Sequence, residues 1–245
     1  MLLDAAVEDV RARQAPDGNV PVDAAPCPTT AATTLLGGAS PIGTHFQLTR
    51  QSNNLAGGIA SSALVSLADF DVSFAYSLTH TASSAPAAGV VFFVIAAPAT
   101  DLECRAGPYL CTLGSNAPGF AVILRTSKGV ASDPAVPYVA VVDATAYPSQ
   151  QPTSRADLDP SQATTVVPVQ DDNLPSASTF HRMAISVRAG KVSVSIDGAS
   201  ILSGVVIPGY VPGRMSTWGI GGSTGQGDGF GHRSVVGQVS FDLCP

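Results

Sequence analysis

From Thr34 onward apolar and polar residues alternate in twos. In Phe70 to Thr79, Phe70, Val72, Phe74, Tyr76 and Leu78 fall on one face and Asp71, Ser73, Ala75, Ser77 and Thr79 on the other, the pattern of a strand with one side buried. Phe180 to Gly198 repeats it twice. Met183, Ile185 and Val187 share a face, the chain turns at Ala189-Gly190, and Val192, Val194 and Ile196 share a face on the return, which predicts a hairpin. Val90 to Ala96 is apolar throughout, as in a strand covered on both sides. Shorter runs predict strands at His45 to Thr49, Ile59 to Leu67, Phe120 to Leu124, Tyr138 to Val142, Thr164 to Val169, Ser216 to Gly222 and Val235 to Leu243. Ten or more short strands separated by turn residues, with no helices among them, predict an all-β sandwich or jelly roll. Asp143 to Ser178, rich in Pro, Ser, Gln and Asp, reads as a long surface loop with one embedded strand.

The first 33 residues differ. Leu3, Val7 and Val10 stand at helical spacing, and Ala15 to Thr33 is a Pro/Ala/Asp/Thr-rich extended connection. The expected organisation is a leader over residues 1–33, a short helix plus linker, then one sandwich over 34–245. Asp4, Glu8 and Asp9 interrupt any signal-peptide pattern after Met1, so a removed leader or a larger precursor is expected.

Apolar residues make up 45% of the 245 and charged residues 12%, so a large core is available and solubility rests on Ser, Thr, Asn and Gln. The net charge of −6, without a basic stripe, argues against nucleic acid, and no apolar run approaches the ~20 residues of a membrane helix. Four cysteines (Cys27, Cys104, Cys111 and Cys244), none in a C-x-x-C pair or spaced with a histidine, point to disulfides and an oxidising compartment rather than zinc. Locality and the closeness of sandwich termini favour Cys104–Cys111 and Cys27–Cys244 among the three possible pairings.

Taken in order, several stretches resemble the L-type lectins, the legume seed lectins and their relatives. Leu35-Leu36-Gly37-Gly38-Ala39-Ser40, His45 to Thr49 and Gly57 to Ala63 resemble the opening strands. Phe70 to Leu78 followed by Ala87 to Phe93 resembles the second motif, and Gly107-Pro108-Tyr109-Leu110 the Gly-rich loop. Phe120 to Asp143 is similar to the strand–loop–strand that holds the metals, and Met183 to Gly198, Trp218 to Gly225 and His232 to Phe241 to the closing motifs. The resemblance covers about residues 35 to 243. It implies the concanavalin A-like jelly-roll sandwich with a shallow sugar site on loops at one edge.

The departures bear on function. Where the resemblance implies a sugar-binding Asp before the Gly of the second motif, the chain has Ala88. Where it implies Glu and Asp on the metal strand, the chain has Ile123 and Arg125; Lys128-Gly129 replaces the loop Asn, and the metal-binding His is lost near Pro137-Tyr138. Asp133-Pro134 alone matches. Calcium takes six to eight oxygens with several carboxylates, so no metal or other cofactor is expected, and Arg125 is expected to pair with a carboxylate instead. The only glutamates are Glu8 and Glu103, so the paired carboxylates of a sandwich glycosidase are missing and no enzyme is expected. Asp69 and Asp71 read as solvated strand positions. His45, His80, His181 and His232 lie far apart in sequence, and with so many serines available a Ser/His/Asp set drawn from them is a chance match.

Two loops remain as candidate ligand contacts: Gly107 and Tyr109 in the first, Gln226, Asp228, Phe230 and His232 in the second. The plain reading of the second is a glycine connection between strands. The sharper one is a ligand rim, because Phe230 can stack on a sugar ring while Asp228 and His232 hydrogen-bond its hydroxyls. The expected function is a non-catalytic, metal-independent lectin-like domain, extracellular, at the cell surface or in the secretory pathway, with a glycan or glycoprotein as partner. The alternative is a structural subunit that keeps the fold, has lost sugar binding and meets neighbouring subunits. Neither nucleic acid nor membrane insertion is expected.

Overall fold

The computed structural model describes residues 32–50, 52, 54–81, 88–105, 111, 116–128, 134–146, 152, 154–167, 175–207, 209–224 and 233–242. Among them are sixteen strands. The first nine are β1 (Thr33–Gly37), β2 (Ser40–Ile42), β3 (His45–Thr49), β4 (Ala56–Ser61), β5 (Val65–Leu67), β6 (Phe70–Thr81), β7 (Gly89–Ile95), β8 (Gly119–Arg125) and β9 (Tyr138–Asp143). The rest are β10 (Ser154–Asp157), β11 (Thr165–Val167), β12 (His181–Arg188), β13 (Lys191–Ile196), β14 (Ala199–Val206), β15 (Arg214–Ser223) and β16 (Arg233–Asp242). One helical turn, α1 (Pro160–Ala163), stands between β10 and β11.

The strands form two sheets. The first runs β1-β4-β15-β7-β8-β9-β10, with β5 added to β15; the second runs β14-β13-β12-β6-β16-β3-β2, with β11 added to β6. Pairings are antiparallel except β11 against β6. The core between the sheets is built by the alternation seen in the sequence: Phe70, Val72, Phe74, Tyr76 and Leu78 of β6 face Val90, Phe92 and Val94 of β7 and Phe120, Val122 and Leu124 of β8. Phe241 stacks between Trp218 and Phe70, with ring centroids 4.7 and 5.3 Å away. The other face of the first sheet carries a second apolar cluster of Val91, Phe93, Ile95, Ala121, Ile123 and Tyr138, covered by Leu36, Ala99 and Leu102. That is why β7 is apolar at every position.

The Phe180 hairpin closes as its sequence predicts. Ala189 and Gly190 both take positive φ, 49° and 72°, the two-residue turn whose twist suits antiparallel strands. Elsewhere the strand boundaries differ. Ile59 to Leu67 is two strands, because Ser62-Ala63-Leu64 turns the chain from β4 into β5, although both pair with β15. The stretch 143–178 holds β10, α1 and β11, not one strand in a loop. Asp159 caps α1 by accepting from the Ser161 amide at 2.9 Å, while Gln162 reaches back to the Asp159 amide. The periodicity missed β14, where hydroxyls and a glycine interrupt the apolar pattern on an exposed edge. The leader 1–31 lies outside the described residues.

Candidate functional site

The end of the first sheet where β7 begins and β8 finishes gathers the residues the lectin resemblance points to. Ala88 and Gly89 have φ of 34° and 140°. A Cβ at Gly89 would run into the Leu124 carbonyl oxygen, so this approach of β7 to β8 requires glycine. Two hydrogen bonds then tie the segments together. The Ala88 amide donates to Ser127 Oγ at 2.7 Å, and the Thr126 amide donates to the Ala88 carbonyl at 2.9 Å. The position expected to carry a sugar-binding carboxylate is thus a buried alanine held by its backbone to the loop after β8.

Ile123 and Arg125 point away from the sandwich core, on the face of the second cluster, and both are fully buried. Gly89, Arg125 and Tyr138 are register partners across β7, β8 and β9, and the Tyr138 ring is also fully buried. These side chains do not fit a divalent cation. Ile123 offers no oxygen, and the Arg125 guanidinium repels a second positive charge at close range. Asp133 lies outside the described residues. Among the described residues no group of three or more His, Cys, Asp or Glu side chains is placed to hold a metal.

Two neighbouring segments meet the same end. Cys104 and Cys111 form a disulfide on the outer face of the first sheet. It lies flat because Gly37 and Gly58 beneath it lack side chains: an added Cβ at Gly37 would stand 2.6 Å from Cys104 Cβ, and one at Gly58 3.2 Å from Cys111 Sγ. The bridge therefore fixes both ends of the segment that contains Gly107 and Tyr109. Thr224, the last described residue before the second candidate loop, is clamped to Leu55 by its amide and its hydroxyl, at 2.8 and 2.9 Å. The described chain resumes at Arg233, the first residue of β16 in the second sheet, beside Thr79. Gly107, Tyr109, Gln226, Asp228, Phe230 and His232 themselves lie outside the described residues, as do Cys27 and Cys244.

The ionisable groups singled out in the sequence have other partners. Asp71 pairs with Arg188 at 2.6 Å, Asp69 accepts from the Ala189 amide at 2.8 Å, and Glu103 accepts from Arg105 at 2.7 Å. His181 meets Asp197 at 2.7 Å, a pairing across the Phe180 hairpin that its sequence spacing does not announce. Partial burial pushes the Asp197 carboxyl up, but the Arg182 amide and the His181 ring outweigh it and leave the pKa below the usual carboxylate value. Tyr76, beside this pair, is buried with its hydroxyl donating to the Gln162 carbonyl at 2.6 Å, and burial raises its pKa strongly.

Two sheets in this order, with the loops of β7, β8 and β15 at one end, define the L-type lectin fold. Among solved structures the chain is similar to a lectin from Bauhinia forficata in complex with GalNAc (TM-score 0.66, 18% identity, 86% of this chain and 91% of that one). It is similar also to metal-free lectin I-B4 from Griffonia simplicifolia (0.64, 20%, 86% and 92%) and to the lumenal domain of VIP36 with calcium and mannose (0.63, 14%, 86% and 83%). At these identities the likeness shows the fold. No protein-family model matches the sequence, and no curated protein matches it.

Proposed function

We propose that the chain is a non-catalytic lectin-like module that binds carbohydrate without a metal, outside the cell or in the secretory lumen. The observation that carries this reading is the direct clamp of Ala88 to Ser127 and Thr126, beside a buried Arg125 in place of metal ligands. It does by hydrogen bonding what a cation does when it fixes a loop. The residues proposed to meet the carbohydrate are Gly107, Tyr109, Gln226, Asp228, Phe230 and His232, the Phe230 ring being suited to stacking on a sugar and the polar groups to bonding its hydroxyls. The neighbours with GalNAc and mannose support a glycan partner, and the Cys104–Cys111 bridge supports an oxidising compartment. The only two glutamates are Glu8 and Glu103, and Glu103 is engaged with Arg105, so the paired carboxylates of glycoside hydrolysis are not supplied by glutamate.

A glycan array run with and without chelator tests the proposal. Binding that survives chelation and is lost in Phe230→Ala and Asp228→Ala supports it; binding abolished by chelator, or none to any glycan, overturns it.

One observation favours the second reading, an assembly subunit. The outer face of the second sheet presents a groove of about 350 Å³ lined by small residues, Ser73, Ala184, Ser186, Ser193, Ser195 and Ser240. Such a concave face, lined by hydroxyls and by Asp71, suits packing against another protein surface. Sedimentation of the wild type against Ser186→Arg separates the readings: a larger species dissolved by the arginine supports assembly.

A further inference from the structure

The opposite end of the sandwich carries a second concave feature. Trp218 lies midway along β15, about 17 Å along the strand from Ser223 at ~3.3 Å per residue, and so away from the end of the strand that leads into the second candidate loop. There the two sheets leave a pocket of about 410 Å³, within the size range of small-molecule sites. Trp218 and Phe241, stacked at 4.7 Å and almost fully buried, form its floor; Phe46 and Val239, both only partly buried, form its walls. Thr44 and Gln238 supply polar groups at the rim, and among the described residues no charged one lines it.

The backbone at the rim is unusual. Gln238 has φ of 50°, in the left-handed region, and the register of β16 against β6 shifts there, so that Gln238 and Val239 stand opposite Phe74 alone. This is a β-bulge, a device that re-aims side chains, and it holds a glutamine in a backbone conformation that glycine adopts more readily. The bulge turns both side chains to the pocket instead of continuing the ladder.

We propose that this pocket is a second ligand site, for a small neutral molecule with an aromatic or alicyclic body and one hydrogen-bonding group. The aromatic floor favours a flat ring, which stacks or meets the floor edge-on. The uncharged lining excludes an ionic ligand, whose desolvation nothing there would offset. The Gln238 carboxamide and the Thr44 hydroxyl each both donate and accept, and so can take one polar group of the ligand at the mouth. This site is independent of the carbohydrate reading.

Trp218 is the only tryptophan in the chain, so its emission reports on this pocket alone. The test titrates the full-length protein with the neutral probe N-phenyl-1-naphthylamine and follows energy transfer from Trp218. The expected result is saturation at one probe per chain, with Trp218 emission falling in parallel. Val239→Phe, which fills the wall, weakens binding at least tenfold. Ala32→Phe at the exposed rim, a substitution outside the core, does the same with the melting temperature kept. Absence of saturable transfer in the folded full chain overturns the proposal. Equal affinity in wild type and both variants also overturns it.

Discussion

Phe92 and Phe93 are neighbours on β7, both fully buried, yet they belong to different parts of the molecule. Phe92 points between the sheets, where Phe70 and Phe241 meet it at 6.2 and 6.4 Å. Phe93 points outward into the cluster with Ile123 and Tyr138, and packs on Gly219, where an added Cβ would collide with its ring. The inner face is what any sandwich needs: apolar side chains from two rigid sheets. The outer face carries the second cluster, and here lie the buried residues at the positions where the sequence departs from the lectin pattern: Ala88, Ile123, Arg125 and Tyr138. The difference teaches that the fold and the candidate site are written on opposite faces of the same strands.

The largest expected effect separates the two faces. Phe92→Ala opens a cavity between rigid sheets and lowers stability by about 3–5 kcal/mol. Phe93→Ala removes the same volume beneath segments that can settle into the space, and is expected to cost nearer ~2–3 kcal/mol. Denaturant unfolding of both variants checks the order; equal costs would erase the distinction.

A smaller effect sharpens it at the loop end. Ser127→Ala takes the acceptor from the Ala88 amide and costs about 1–3 kcal/mol, the penalty of an unsatisfied partly buried donor. Ser127→Thr, which keeps the hydroxyl, restores most of it. The inner face has no part in this bond, so the loss is expected as faster amide exchange at Ala88 and Ser127, with the core strands unchanged; uniform loosening in exchange measurements would contradict it.

The strands were legible wherever one face meets the core. The patterns of Phe70 to Leu78 and of the Phe180 hairpin need only a period of two, and both strands sit where that period puts them. The candidate site was legible only as substitutions. Ala88, Ile123 and Arg125 stand out against the lectin pattern, but nothing in the sequence says that Ser127 bonds the Ala88 amide, because that contact spans 39 residues and uses a backbone group. His181 with Asp197 escaped for the same reason: the pair forms only when β12 and β13 align, Met183 opposite Ile196. β14 stayed hidden because an edge strand exposed on one side needs no clean alternation.

The smallest expected effect belongs to neither face. Asp197 has a folded pKa below its unfolded value, so its stabilisation is complete above about pH 4 and is lost as pH falls through the folded pKa. Solvent around the carboxylate, which is about half exposed, keeps the amount under ~1 kcal/mol. In urea unfolding between pH 5 and 2, Asp197→Asn is expected to flatten the slope slightly relative to wild type; identical slopes would remove the pair from the account.

If the loop end of the first sheet is held by the protein's own hydrogen bonds, as proposed, it needs no cation. Isothermal titration of calcium into chelator-treated protein tests it most directly. The account predicts heats that match dilution at every injection, since Ile123 and Arg125 offer the ion nothing. A saturable heat at one calcium per chain would contradict it.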